Sequence, residues 1–283
     1  KDPLLDKKRV QLFIKREDLI HPIVSGNKWR KLKYNLIEAK EKSFETLLTF
    51  GGAYSNHIYA TAAAAKKCGF ESIGIIRGDE LKNKPLNKTL QFAADHGMKL
   101  KFVNREDYRL KEDQAFIQKL KDDYGRFYLI PEGGTNDLAI KGCEEIMTPE
   151  MVEFDIVSTC VGTGGTISGI VAASASSQRV IGFSALKGDF LIGEVGALLA
   201  KYSDTVYKNW MINTQYHFGG YAKTSTELIN FIHEFETNQM IPLDQVYTGK
   251  MMYGLFDLIA KDYFKSGQKI LAIHTGGLQG RTL

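Results

Sequence analysis

Residues 155–175 read DIVSTCVGTGGTISGIVAASA. The apolar run Asp155 to Thr159 leads into the glycine-rich turn Cys160 to Thr166, and then into the helical stretch Ile167 to Ala175. A short run rich in β-branched residues and bounded by a glycine turn reads as a buried strand, so the stretch is one βα unit. At such a turn free backbone N–H groups and the positive helix end face the same way, which makes an anion site. Thr163 and Thr166 add hydroxyl donors. A nucleoside-triphosphate loop needs Gly-Lys-Ser/Thr, and this turn has no lysine. The dinucleotide pattern G-x-G-x-x-G is broken by Ile167, which counts against a dinucleotide-binding module. A single phosphate of a compact cofactor fits the turn better than a polyphosphate, with a plain structural turn as the alternative.

The same alternation runs outward in both directions. Strands are expected at 10–14, 46–50, 72–77, 99–103, 127–130, 155–159, 180–184, 208–212 and 269–274. Helices are expected at 28–42, 55–68, 84–96, 106–122, 138–147 and 250–265, with Gly69 as a left-handed stop after the second. This order predicts the α/β class, with two open, twisted, mostly parallel sheets flanked by helices. The length of 283 residues, set against about 150 per domain, agrees with two. A hydrophobic share of 43% with 25% charged residues excludes disorder, collagen-like repeats and a disulfide-stapled miniprotein. A net charge of +4, with one short basic cluster at Lys28 to Lys33, gives no stripe for nucleic acid. No apolar run approaches the roughly 18 residues of a membrane helix. Cys68, Cys143 and Cys160 are three, so they read as free thiols in a reducing compartment, each a buried small hydrophobe. The charged start Lys1 to Arg9 is no secretory leader, so a cytoplasmic protein is expected, and the absent initiator Met suggests a missing upstream segment.

Ten of the 27 glycines fall in five pairs, at 51–52, 133–134, 164–165, 219–220 and 276–277, and at least three pairs directly follow an expected strand. Ligands of open α/β sheets bind beyond the carboxyl ends of the strands, so these pairs point to one shared cleft. Phe50 to His57 is a second strand-to-helix turn, where Ser55 and Asn56 serve either an anion or the helix cap. Ser25 to Leu32 is the third. Lys28 there stands near a helix N-terminus, which disfavours its ammonium form and favours the nucleophilic amine that Schiff-base chemistry needs.

Lys15-Arg16-Glu17-Asp18-Leu19, Gly26-Asn27-Lys28-Trp29-Arg30-Lys31-Leu32 and Gly51-Gly52-Ala53-Tyr54-Ser55-Asn56-His57 resemble pyridoxal-phosphate enzymes of the tryptophan-synthase β fold (fold type II). Within these they are most similar to the 1-aminocyclopropane-1-carboxylate deaminase and D-cysteine desulfhydrase family. The similarity continues through Pro131 to Asn136, Gly162 to Thr166 and Val246 to Lys250, and ends at His274-Thr275-Gly276-Gly277. The resemblance implies pyridoxal 5'-phosphate as cofactor and Lys28 as the residue that holds it and later moves the α-proton. Asn56 matches the partner of the cofactor's phenolic oxygen. Ser55, Asn56 and His57 match the substrate-carboxylate site, with Ser55 also a candidate for proton transfer. Gly162, Thr163, Gly164, Gly165 and Thr166 match the phosphate loop, with Lys31 as an added phosphate cation. Tyr221 and Tyr247 match a pair of active-site tyrosines. His57 and His274 lie beside the cleft motifs, where a packed histidine is the plainer reading.

Two further positions separate the branches of this family. The deaminase branch places a glutamate on the pyridine nitrogen where this chain has Thr248; the desulfhydrase-like branch uses a threonine hydroxyl, matched by Thr275. Thr248 and Thr275 are therefore the expected neighbours of the pyridine ring, and they favour β-elimination of D-cysteine to pyruvate, sulfide and ammonia. Deamination of 1-aminocyclopropane-1-carboxylate to 2-oxobutanoate is the alternative, and a non-catalytic cofactor-binding protein a distant one. The resemblance also implies a small domain at 42–142, a large one from 1–41 and 143–283, a small amino-acid substrate and a homodimer.

Overall fold

The computed structural model describes residues 2–281. Its strands are β1 (Gln11–Arg16), β2 (Thr46–Gly52), β3 (Glu71–Arg77), β4 (Met98–Val103), β5 (Tyr128–Ile130), β6 (Ile156–Val161), β7 (Arg179–Ser184), β8 (Trp210–Asn213) and β9 (Lys269–His274). Each overlaps an expected strand. The helices are α1 (Pro3–Lys8), α2 (Asn27–Glu41), α3 (Asn56–Cys68), α4 (Lys88–Asp95), α5 (Arg105–Arg109), α6 (Gln114–Tyr124), α7 (Asp137–Glu144), α8 (Gly165–Ala173), α9 (Phe190–Tyr202), α10 (Thr226–Gln239) and α11 (Thr248–Ala260).

The strands form two sheets, ordered β1-β9-β6-β7-β8 and β4-β3-β2-β5. Every pairing among the described residues is parallel. Parallel strands inside a sheet are covered on both faces, so they read as continuous apolar runs. Accordingly β6 is buried at every position and β2 from Leu47 to Gly51, while the edge strand β1 leaves Gln11 and Phe13 exposed. α3 covers the smaller sheet with Ala60 and Ala62 to Ala65, whose small side chains let the helix lie close to the strands. Gly69 ends it at φ 78°, as expected.

Several expectations need correction. The helix expected at 106–122 is two, because Asp113 accepts the amides of Ala115 (2.9 Å) and Phe116 (3.1 Å) and starts a new helix. Capping of this kind competes with continuing the preceding helix. α7, assigned by sequence to the small domain, packs on α2 and α8 instead; a Cβ on Gly142 would meet Arg30 O at 2.0 Å. Cys143 and Cys160 are buried free thiols, but Cys68 faces solvent at the last turn of α3.

The two ends of the chain meet at one tight point. Gly26 has φ +63° and precedes α2, and the Asn27 amide donates to Thr275 O, beyond β9, at 3.1 Å. A Cβ on Gly26 would stand 1.9 Å from that same carbonyl oxygen. No side chain can bend out of such a clash with backbone. Gly26→Ala is therefore expected to destabilise the protein by about 3 kcal/mol or more, read as a lowered urea midpoint.

Candidate active site

The carboxyl ends of both sheets face a cleft of about 890 Å³. Four of the five glycine pairs contribute to its wall, through Gly52, Gly133, Gly164, Gly276 and Gly277. Lys28, Lys31, Ser55, Asn56, His57, Gly162, Thr163, Gly164, Thr166, Tyr221, Tyr247 and Thr275 all line it. Gly165 and Thr248 do not.

Lys28 is the second residue of α2 and half-buried in the cleft. Burial lowers its pKa to about 8, and among the described residues it has no hydrogen-bond or ion-pair partner. More of it is therefore free amine near neutral pH than of an ordinary lysine, which favours a nucleophile. Asn27 holds this turn in place: its side-chain amide donates to Thr166 Oγ1 at 2.9 Å, tying the start of α2 to the start of α8.

Lys31 lies one turn further on and is 2% exposed. Its ammonium donates to Gly133 O (3.1 Å), Thr135 Oγ1 (3.0 Å) and Thr163 Oγ1 (3.2 Å), and to no carboxylate among the described residues. Burial, then the Lys28 charge, lowers its pKa to about 7. Gly165 lies behind it, where a Cβ would come 3.1 Å from Lys31 Nζ. That glycine makes room for the lysine rather than for ligand. The α8 N-terminus beside it has Gly164 at φ 81° as N-cap and no side-chain cap.

On the opposite wall, Ser55 caps α3 by accepting the amides of His57 (3.2 Å) and Ile58 (3.3 Å). Asn56 opens the helix and reaches across to the last turn of the chain, where a Cβ on Gly277 would meet its Nδ2 at 3.1 Å. His57 borders the cleft, and both of its ring nitrogens face threonine hydroxyls. Thr49 Oγ1 donates to Ile130 O (2.8 Å), so His57 Nε2 must donate to Thr49 Oγ1 (2.8 Å), while Nδ1 faces Thr61 Oγ1 (3.5 Å). Burial and the two lysine charges hold its pKa well below 6.5, so its ring is neutral and packed. His274 is packed likewise, with Nε2 on Pro242 O (2.7 Å) and Nδ1 by Asp18 (3.3 Å).

Tyr247 stands immediately before α11, edge to face with Tyr221 at 6.2 Å between ring centroids. Burial pushes the Tyr247 hydroxyl well above 10, so it keeps its proton. Gly162 makes room for that ring, since a Cβ there would approach Tyr247 Cε1 to 3.1 Å. The sequence reading missed Asp244, whose carboxylate accepts Val246 N (2.8 Å), Tyr247 N (2.7 Å), Thr248 N (2.9 Å) and Thr248 Oγ1 (2.6 Å). Thr248, expected at the pyridine ring, is consequently turned away from the cleft and buried. Thr275 does face the cleft, and its hydroxyl has one partner among the described residues, Cys160 Sγ at 3.0 Å. Arg77, Lys111 and Glu132 also line the cleft, with Glu132 accepting from the buried Tyr108 hydroxyl (2.7 Å) and paired with Lys111 (3.5 Å); Arg77 and Lys111 carried no sequence signal.

The family profile for "Pyridoxal-phosphate dependent enzyme" matches residues 2–276. The chain belongs to that family. It is 33% identical, over 95% of its length and 73% of the relative's, to the mitochondrial bifunctional D-cysteine desulfhydrase/1-aminocyclopropane-1-carboxylate deaminase of Arabidopsis thaliana. It is 28% identical to the 1-aminocyclopropane-1-carboxylate deaminase of Bradyrhizobium sp. (strain ORS 278), over 95% of this chain and 87% of that one. The crystal structure of an ACC deaminase homologue superposes with a TM-score of 0.84 at 31% identity, covering 98% of this chain and 87% of the other. The fold is thus the tryptophan-synthase β-like one, and the cofactor of this pyridoxal-phosphate enzyme family is pyridoxal 5'-phosphate.

The residues present fit that cofactor. A buried ammonium bonded only to neutral oxygens is costly, by several kcal/mol for an unpaired ion. Lys31 sits in that state beside a helix start with no side-chain cap, and a phosphate placed there relieves both.

Proposed function

We propose that this pyridoxal-phosphate enzyme eliminates the β-substituent of a small amino acid, with D-cysteine giving pyruvate, sulfide and ammonia. The observation that carries this reading is the pair of threonines. Thr275 offers a hydroxyl to the cleft, while Thr248 is held by Asp244 and presents nothing to it. A hydroxyl leaves the pyridine nitrogen less firmly protonated than a carboxylate would, which suits a leaving group as good as thiolate better than cyclopropane opening.

Bound pyridoxal phosphate supplies an aldehyde for the amine and an electron sink for the carbanion. Lys31, the N–H groups at the start of α8 and the Thr163 and Thr166 hydroxyls would hold its phosphate. Asn56 would meet its phenolic oxygen. Ser55 and the first amides of α3 orient the substrate carboxylate. Lys28 Nζ would take the α-proton, and its depressed pKa would let it accept that proton and return it near neutral pH. Tyr247 keeps its hydroxyl proton and faces the β-substituent together with Tyr221. Water consumed at the end balances the products: D-cysteine and one water give pyruvate, hydrogen sulfide and ammonia.

The names of the Arabidopsis and Bradyrhizobium relatives favour a second reading, deamination of 1-aminocyclopropane-1-carboxylate. A panel of D- and L-amino acids with β-leaving groups plus the cyclopropane substrate, followed by keto acid and sulfide, separates the two. D-cysteine is expected to be turned over at least about tenfold more efficiently, a difference of about 1.4 kcal/mol in transition-state stabilisation. Turnover of the cyclopropane alone contradicts the proposal.

A further inference from the structure

Lys250 is 1% exposed, yet it sits at the third residue of α11, where a cation opposes the helix dipole. Its ammonium bonds no carboxylate among the described residues. It donates instead to His217 O and Gly220 O, both at 2.8 Å. Asp244, the acid on the same turn, already accepts four hydrogen bonds from residues 246–248.

The segment that Lys250 grips is unusual backbone. Phe218, Gly219, Gly220 and Ala222 have φ of 51°, 93°, 118° and 55°. Left-handed residues in such a run, two of them carrying side chains, persist only where the surroundings over-determine them. The local bonds are few: Gly220 N to His217 O (3.0 Å), Lys223 N to Gly220 O (3.1 Å) and Gly219 N to His217 Nδ1 (2.9 Å). Phe218 adds an edge contact with Tyr253 on α11. The next residue is Tyr221, 42% exposed at the cleft. Three residues before Lys250 is Tyr247.

We propose that Lys250 is a positioning residue that ties the 217–222 loop to the start of α11 through its two carbonyl bonds, and so sets Tyr221 against Tyr247. This rests on the reading of the two tyrosines as active-site groups. The helix that presents one tyrosine also holds the loop that presents the other, so a single side chain fixes their spacing. Burial lowers the Lys250 pKa to about 8, as a group held without a bonded acid should show.

The test is 3-fluorotyrosine placed at position 221 or, separately, at 247, observed by fluorine NMR in the holoenzyme. In K250M the label at 221 is expected to shift and broaden while the label at 247 stays. Turnover of the best substrate in the panel should fall about tenfold or more in kcat, with KM changed less than about threefold. In a Y221F background K250M should cost less than about twofold more, because the two changes disable one element. K250Q, with two N–H donors on a shorter stem, is expected to fall between native and K250M. It also serves alone where K250M does not fold, a native label then overturning the proposal. An unmoved label at 221 in K250M overturns it, and so does full multiplication of the K250M and Y221F losses. Full activity of Y221F would refute the role of that tyrosine, while the label still decides the clamp.

Discussion

Lys28→Ala is expected to lower turnover by about 10³-fold or more and to remove the yellow, borohydride-sensitive absorbance of the bound cofactor. The size follows from the lack of a substitute. Lys31, the other cleft lysine in the same helix, has its ammonium committed to three oxygens, and His57 has its rings' nitrogens facing Thr49 and Thr61. With cofactor bound the Lys31 ammonium is expected to be committed to the phosphate, and neither ring nitrogen of His57 is aimed into the site. The variant should still fold, since Lys28 makes no hydrogen bond or ion pair among the described residues. Unchanged kcat in a correctly folded Lys28→Ala protein would contradict the proposed proton transfer; a steady-state assay with a thermal melt as control checks it.

Lys31→Met is expected to act with opposite signs on the empty and the loaded protein. Without cofactor, the substitution removes a buried ammonium that has no acid beside it, and replacing buried ions by apolar groups is often worth about 1–4 kcal/mol of added stability. With cofactor, it removes a charged phosphate contact, and affinity should fall about 100-fold, equivalent to about 2.7 kcal/mol. Denaturant unfolding of the cofactor-free chain and a binding titration read the two effects. A pH series gives an independent sign. The folded pKa of Lys31 is about 7 against an ordinary 10.5, so between these values the unfolded chain binds more protons than the folded one. Stability of the cofactor-free chain therefore rises with pH across that window, helped above about 8 by Lys28 and Lys250. The rise should be shallower in Lys31→Met. A flat profile in the native chain would show that the ammonium is not held as described.

What the sequence discloses is local. β2 and β6 announce themselves by runs of buried β-branched and aromatic residues, and the glycine pairs by their place after strands. Lys28 could be singled out because its chemistry depends on a helix start visible in the chain. α10 does carry a local signal: Ser225 caps it, and Leu228, Ile232 and Phe235 recur at helical spacing. α9 was obscured by Gly193 and Gly196, which lower helix propensity although tertiary packing keeps the helix. Roles that depend on distant partners were illegible. Lys31 meets Thr135, 104 positions away, and Lys250 meets Gly220 across 30. The family pattern marked Thr248 and Thr275 as a pair, but only the fold shows Asp244 turning one of them away.

The direct test of the whole account is where the cofactor is attached. Native protein saturated with pyridoxal phosphate is reduced with borohydride, digested, and the peptides are weighed. The pyridoxyl-phosphate mass is expected on the peptide bearing Lys28, with the visible absorbance lost in the same step. The mass on any other lysine, or a protein that stays colourless and unmodified at saturating cofactor, would contradict it.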